Sequence, residues 1–513
     1  MEAAEKNLPV KKRKRIEILF FAGIFACLLI LYIRVVPLVI FNMDDWEFLS
    51  FGSAGIVPDW NAWNPSRILP RQLMPLVAQL SAYLVYPFTH DFLGAIELGM
   101  AITVSMMITV YSYAFYQMIR KRRGLSVNLS FGLTMLFLLL HFLVFRTKNE
   151  SNDYLLNGYY DATTFFFYLI PALLNASLVL CFCPVGFFSG KLSVQKRALL
   201  IPAVYFAVFS NIHQSIILAI YVCFDMLNQL IGSIREKGRK KVRTVWKHMA
   251  FLVLWVISLM FENSGGRAAS VRYKDGSDLL VRGKQCLRLL WERVSDTNVV
   301  FIILVGILII AAILLCISIF RKSGNKKVLW FFRQWNGMEM FCSALIALTY
   351  VFLVCSASLQ GYIKRGDVLL SSLFFLFMFM IEIIAILLNR IRLSRIILPA
   401  ILVVCLIQIP TSGKTLKSSI NRNIPYQTAK AISQDIVNAY VEADRNHEND
   451  ISIQVPQFPE NNWPLSNHGS MISKVLFKYG IITRIIKADL VPSPEKNKEY
   501  NLPKYREKQK TGQ

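Results

Sequence analysis

Apolar runs of about twenty residues recur along most of this chain, and they leave few folds open to it. In hydrocarbon every backbone amide must be paired within its own segment, so such runs become helices that cross a bilayer. Eleven segments qualify: 17–41, 92–118, 126–146, 163–183, 198–211, 214–231, 247–261, 299–320, 339–358, 367–388 and 395–410. The fifth and sixth are short and closely coupled, so 198–231 reads as one broken span or as two. The fold class expected is an all-α polytopic membrane protein with about eleven transmembrane helices.

Composition agrees. With 55% hydrophobic and 17% charged residues over 513 positions, a soluble globular chain is excluded. A net charge of +25 would suggest nucleic acid in a soluble protein. Here the basic residues fall between apolar runs, so topology and contact with membrane lipid explain them, and no nucleic-acid partner is expected. Of nine cysteines, eight (Cys27, Cys181, Cys183, Cys223, Cys316, Cys342, Cys355 and Cys405) lie in or at apolar runs. Neither a disulfide framework nor a zinc spacing is visible. Residues 1–16 carry Lys11-Lys12-Arg13-Lys14-Arg15, the kind of charge that opens a signal peptide. The apolar stretch behind them is too long for an h-region and lacks a small-residue cleavage site, so it reads as an uncleaved first span.

Charge sets the orientation. With the basic N-terminus in the cytoplasm, alternation places Arg120 to Arg123, Lys191 to Arg197, Arg235 to Lys247, Arg321 to Arg333 and Arg390 to Arg395 on the same inner side. The outer loops at 147–162 and 359–366 are much less basic. Segment 68–90 is apolar but holds Arg71, Gln72, Gln79, Pro70, Pro75 and Pro87, and counting it as a span would invert Arg120 to Arg123. It is expected to lie on the membrane surface within a first outer loop at 42–91. A second outer loop covers 262–298. Beyond the 17–410 membrane domain, residues 411–492 form a small extracytoplasmic α/β segment. Ala429, Ile432, Ile436, Val437 and Tyr440 have helical spacing there, and Ile451-Ser452-Ile453-Gln454-Val455 alternates like a strand. The charged end, 493–513, reads as disordered.

Polar residues concentrate on the outer side. Asn42-Met43-Asp44-Asp45-Trp46-Glu47 puts two adjacent carboxylates where the chain leaves the bilayer. Such a pair is costly unless a substrate, a metal or a polar partner uses it. A carboxylate can take the proton of an attacking hydroxyl, and a neighbouring acid can raise its pKa or help hold a divalent cation, Mg or Mn. Capping of the helix beginning near Trp46 would explain one Asp but not both. Further candidates are Trp63, Arg67, Asp153, Tyr159, Asp161, Asn211, His213, Arg267, Arg272 and Arg365, drawn from five separated outer segments. The 262–298 loop has seven basic residues on the disfavoured side, and Ser264-Gly265-Gly266 is flexible enough to bring backbone amides to an anion. Pairing with Asp275, Asp278, Glu292 and Asp296 would explain the cations equally well. Polar residues in Asn211-Ile212-His213-Gln214 serve either function or interhelical hydrogen bonding.

One span, an outer Asp44-Asp45-Trp46, a Trp-x-x-x-Arg at Trp63-Asn64-Pro65-Ser66-Arg67 and then an interfacial helix resemble the opening of GT-C-fold membrane glycosyltransferases, closest to the bacterial polyprenyl-phosphate-sugar-dependent type. The resemblance implies juxtamembrane helices in the first outer loop and Asp44 or Asp45 as catalytic base or metal ligand. It also implies that Arg67 positions substrate, and that Arg267 and Arg272 meet a lipid-phosphate leaving group. Asn211-Ile212-His213-Gln214 resembles the mid-chain polar break of that class. His-Pro-Pro and sequon-reading motifs are absent, so protein mannosylation and oligosaccharide transfer to Asn are not implied. The function expected is inverting transfer of a sugar from a polyprenyl-phosphate donor to an extracytoplasmic glycan or glycolipid acceptor, in a bacterial cell membrane. A polysaccharide polymerase or ligase would use outer arginines without needing the acidic pair. A transporter or flippase of lipid-linked sugars would call for repeats and mid-bilayer charges, which the sequence lacks.

Overall fold

A computed structural model describes residues 10–50, 55–145, 156, 161–189, 192–235, 242–274, 278–323, 336–390, 394–411, 419–420, 424–457 and 468–502. It is a predominantly helical membrane protein. Helices occupy all of the expected apolar segments, with shifted ends. Among the described residues, seven are long and apolar enough to cross a membrane: Lys11–Val35, Phe92–Arg123, Ala162–Phe182, Ile212–Ile231, Val245–Ser264, Met338–Ala357 and Gly366–Leu388. Val127–Leu143, Val299–Leu315 and Ile396–Ile409 are shorter apolar helices. The Val194–Val208 helix has 15 residues with Pro202 inside it. A break at 209–211 separates it from the Ile212–Arg235 helix, so 198–231 is two helices rather than one.

Two helices form the middle of the bundle. The most apolar stretches of Ala162–Phe182 and Gly366–Leu388 are 89% and 83% buried, against 17% for the peripheral Val245–Ser264. The central position of Ala162–Phe182 matters because its first turns are not regular α-helix. Phe165–Leu169 is a π-helical turn, which frees a backbone carbonyl and is frequent at functional sites.

The first helix ends sooner than expected. Val10–Ile30 continues through a π turn at Leu31–Val35 and then stops. Pro37 disfavours helical geometry at Val36 and cannot supply a backbone donor. Leu38 to Phe41 are non-helical and buried, leading into the short Met43–Ser50 helix. The Ile68–Leu84 helix follows and is not among the candidate spans. Leu76, Leu80, Tyr83 and Leu84 are exposed on one side, while Met74, Ala78 and Ala82 are buried on the other. Such an amphipathic pattern suits a helix lying along the bundle surface.

The C-terminal residues form a small α/β unit. Strand Asp450–Pro456, helix His468–Lys478 and strand Lys487–Ser493 make a parallel crossover in register from Asp450↔Lys487 to Pro456↔Ser493. The amphipathic Tyr426–Arg445 helix buries Ala429, Ile432, Ile436, Val437 and Tyr440, the positions its periodicity marked. The expected disorder after residue 493 does not hold as far as 502. Pro494–Glu499 is a helix, and buried Asn497 exchanges two hydrogen bonds with the backbone of Gln457, at 2.8 and 2.9 Å. A charged composition concealed one well-used amide. Residues 503–513 lie outside the described set.

This unit holds the first loop in place. Ser433 Oγ donates to the Ile40 carbonyl at 2.9 Å, and Lys478 Nζ and Tyr479 OH donate to that of Leu49 at 3.1 and 3.2 Å. Lys430 pairs with Asp91 and Glu97 at 3.2 and 3.1 Å. The Met43–Ser50 helix is therefore gripped from behind.

Candidate functional site

At the bundle end where the first helix stops, the expected polar segments converge. The two adjacent aspartates begin the Met43–Ser50 helix and separate there, because successive residues are about 100° apart around a helix. Asp45 points inward and is fully buried. Its Oδ1 accepts the Thr163 N–H at 2.9 Å and the Thr163 hydroxyl at 2.7 Å. Its Oδ2 accepts the N–H groups of Phe41 and Asn42 at 3.3 and 3.2 Å. Burial pushes its carboxyl up to about 6, against the pull of the Thr163 hydroxyl and the Thr163 and Phe41 N–H groups, with Asp44 adding to the rise. Asp45 thus staples the loop after the first helix to the start of the central one, and neither oxygen is left for a substrate or metal.

Asp44 faces the other way and is exposed. The surrounding protein raises its carboxyl above the ordinary range, while Arg267 and Arg365 draw it back down. Glu47 is likewise raised, by burial and then by Asp44. The expected Asp44–Asp45 metal pair does not fit this arrangement. Asp45 is saturated by donors, Asp44 is flanked by cations, and among the described residues no group of three or more His, Cys, Asp or Glu could hold a metal.

Three guanidinium groups, those of Arg67, Arg267 and Arg365, gather around Tyr168 and His213, and the last two also reach Asp44. Arg67 is buried, 3.4 Å from Glu262, and lies over the rings of Phe167 and Tyr168 at 5.9 and 6.0 Å. Ser66 also donates to Glu262. Arg267 donates to the Tyr362 hydroxyl. Arg365 forms a two-pronged pair with Asp367, at 3.0 and 2.6 Å, and stacks over Tyr168 at 4.3 Å. His213 stands between the rings of Tyr168 and Tyr362, at 6.4 and 6.2 Å, with a buried Nδ1 that has no hydrogen-bond partner. A cavity of about 230 Å³ opens here, lined by Arg67, His213, Glu262, Arg267 and Tyr362 among others. Its polar wall carries both signs of charge, and its apolar wall comes from Ile212, Val354 and Leu359.

Several candidates prove to build the site rather than face the cavity. Asn211 Nδ2 donates to the Phe167 carbonyl at 2.7 Å, and its Oδ1 accepts the His213 N–H at 2.8 Å. It satisfies a carbonyl of the π turn and fixes His213 beside Tyr168. Trp46 is 1% exposed and belongs to the core, so it offers no ring to a substrate. Trp63 is exposed but supports the adjacent chain. Gly266 donates to the Ala62 carbonyl at 3.4 Å, and Arg267 N–H to that of Trp63 at 3.1 Å. A Cβ at Gly265 would meet Pro65 Cδ at 2.5 Å, and one at Gly266 would meet the Trp63 ring at 3.1 Å. Ser264-Gly265-Gly266 is therefore a close-packing seam and not an amide cradle for an anion. Asp161 precedes the central helix, with its carbonyl accepting from Thr164. Asp153 and Tyr159 lie outside the described residues, as does the side chain of Arg272.

Sequence reasoning left Tyr168, Thr163 and Glu262 out of the site. Glu262 carried a signal, being an acid at the end of the apolar run 247–261. Tyr168 sits in Phe165-Phe166-Phe167-Tyr168, where nothing local sets it apart.

The fold and the burial pattern define a polytopic helical membrane protein with a charged, aromatic cavity at one end. Comparison with protein-family models, curated proteins and solved structures finds no match.

Proposed function

We propose that this chain is a membrane glycosyltransferase that moves a sugar from a polyprenyl-phosphate donor to an extracytoplasmic glycan or glycolipid. In this reading the N-terminus is cytoplasmic, eleven helices cross a bacterial cell membrane, and the cavity and C-terminal unit lie outside. One observation supports it: Asp44, the aspartate that the Thr163 cradle does not engage, lies beside the cavity rather than in its lining, within electrostatic reach of the lining Arg267 and of Arg365. Asp44 accepts the proton of the acceptor hydroxyl as that oxygen attacks the anomeric carbon. The bond from that carbon to the lipid phosphate breaks, and the electron pair leaves with the phosphate. Arg67, Arg267 and Arg365 offset the charge that develops there, in a partly dehydrated site where such contacts are strongest. A single displacement inverts the anomeric configuration. The surrounding protein raises the Asp44 carboxyl above its ordinary value, the direction that makes a carboxylate a better base.

The test uses purified protein in lipid vesicles, with a panel of polyprenyl-phosphate sugars and glycolipid acceptors. Transfer with inverted anomeric configuration supports the reading. Intact donor across the panel, with folded protein, overturns it.

A further inference from the structure

Away from the cavity, the Leu279–Ser295 helix carries a face that the bundle does not cover. Leu280, Lys284, Leu287, Arg288, Trp291 and Val294 recur at helical spacing and share one side. All are exposed, with Leu280 and Trp291 each at 73% and the Arg288 side chain at 81%. The opposite side is pinned to the bundle. Buried Cys286 donates its thiol to the Phe352 carbonyl at 3.8 Å, and buried Arg293 lies over the Phe145 ring at 3.5 Å. Glu292 pairs with Lys364 at 2.6 Å. The helix therefore cannot roll to hide its apolar residues.

Its height relative to the membrane follows from what comes next. Asn298 N–H donates to the Val144 carbonyl at 2.9 Å, where the apolar Val127–Leu143 helix ends. The apolar Val299–Ser323 helix then starts, with Val299, Ile302 and Ile303 exposed as lipid-facing residues are. The exposed stripe thus lies at the edge of the apolar layer. It combines a tryptophan, three aliphatic residues and two cations with no acid among them. Glu292, beside it, is already drawn to Lys364 and to Arg288 at 3.2 Å. An indole and aliphatic side chains at acyl-chain depth, with cations reaching phosphate, match the headgroup boundary of a negatively charged leaflet.

We infer that this stripe is a docking surface for anionic phospholipid. The inference rests on membrane embedding and not on the glycosyltransferase reading, so either can fail alone. Lys284 and Arg288, at about fivefold each, predict roughly thirtyfold enrichment of anionic over neutral lipid beside the stripe at low salt, cut towards about fivefold by the Glu292 that pairs with Arg288. The test is tryptophan quenching in nanodiscs containing equal doses of brominated phosphatidylglycerol or brominated phosphatidylcholine in unbrominated phosphatidylcholine. The difference between wild type and Trp291→Phe isolates the signal of that one ring. The inference expects Trp291 to be quenched more by the brominated phosphatidylglycerol. Lys284→Gln with Arg288→Gln, or high salt, should remove that preference. A Trp291 signal untouched by either bromolipid would put the stripe in water or against a second copy of the chain, overturning the inference. Equal quenching by both lipids, or a preference that survives the charge substitutions, would overturn it too.

Discussion

Replacing Thr163 by Val removes one hydroxyl from the buried cradle of Asp45 and leaves its shape and backbone N–H in place. The lost bond is the shortest of the four, at 2.7 Å, and Thr163 is 5% exposed, so water cannot readily substitute. A hydrogen bond to an ionised group contributes about 1.5–3 kcal/mol, and one to a neutral group about 1 kcal/mol. The cost therefore depends on whether Asp45 is charged. Its folded-state carboxyl is raised to about 6 from an ordinary value of 3.8. The native state then holds the proton more tightly than the unfolded chain, so this group's contribution to stability is full below 3.8 and lost as pH rises through 6. Removing a donor that favours the charged form moves that loss to higher pH. Thr163→Val should cost about 1.5–3 kcal/mol at pH 7.5 and about 1 kcal/mol at pH 5. Unfolding of the purified protein in mild detergent, followed by titration with a denaturing detergent at both pH values, reads the difference. Equal destabilisation at the two pH values would show that Thr163 only fills space, and would refute the staple.

Other positions give independent checks. Asn211→Ala frees the Phe167 carbonyl and the His213 N–H together, and should lower stability by about 1–3 kcal/mol in the same titration, with the tyrosine cluster loosened in fluorescence. Gly265→Ala should be worse than Gly266→Ala, within an overpacking range of about 1–3 kcal/mol, because the first Cβ meets proline and backbone atoms while the second meets a ring edge that can shift. Tyr479→Phe removes the hydroxyl that reaches Leu49 and Pro75, and should expose the Met43–Ser50 segment to proteolysis before the rest of the chain at a cost of about 1 kcal/mol.

Much of the fold was legible because membrane solvent permits few solutions. Apolar length located the helices, and the 92–123 helix ends at Arg120 to Arg123, where charge parity expects a loop. The first span was expected to run to 41 because the chain stays largely apolar to Phe41; Pro37 was the overlooked signal for its earlier end. The site was only half legible. The sequence marked Asp44, Arg67, His213, Arg267 and Arg365 because charged residues beside hydrocarbon are rare. It could not separate Asp44 from Asp45, since their roles follow from the Thr163 hydroxyl, 118 residues away in the chain. Tyr168 was invisible for a related reason. Its importance comes from a π turn and from stacking by Arg365, and both are tertiary facts. Gly265 and Gly266 looked like an anion loop because composition cannot show which carbonyl takes an amide.

If Asp44 is the base and Asp45 the staple, the two carboxylates separate cleanly in sugar transfer by Asp44→Asn. Asn keeps the size of Asp44 at an exposed position but cannot accept the proton, so unfolding should match wild type while transfer from a polyprenyl-phosphate sugar falls by about 10²–10⁴-fold. Undiminished transfer by a folded Asp44→Asn protein would rule Asp44 out as the base.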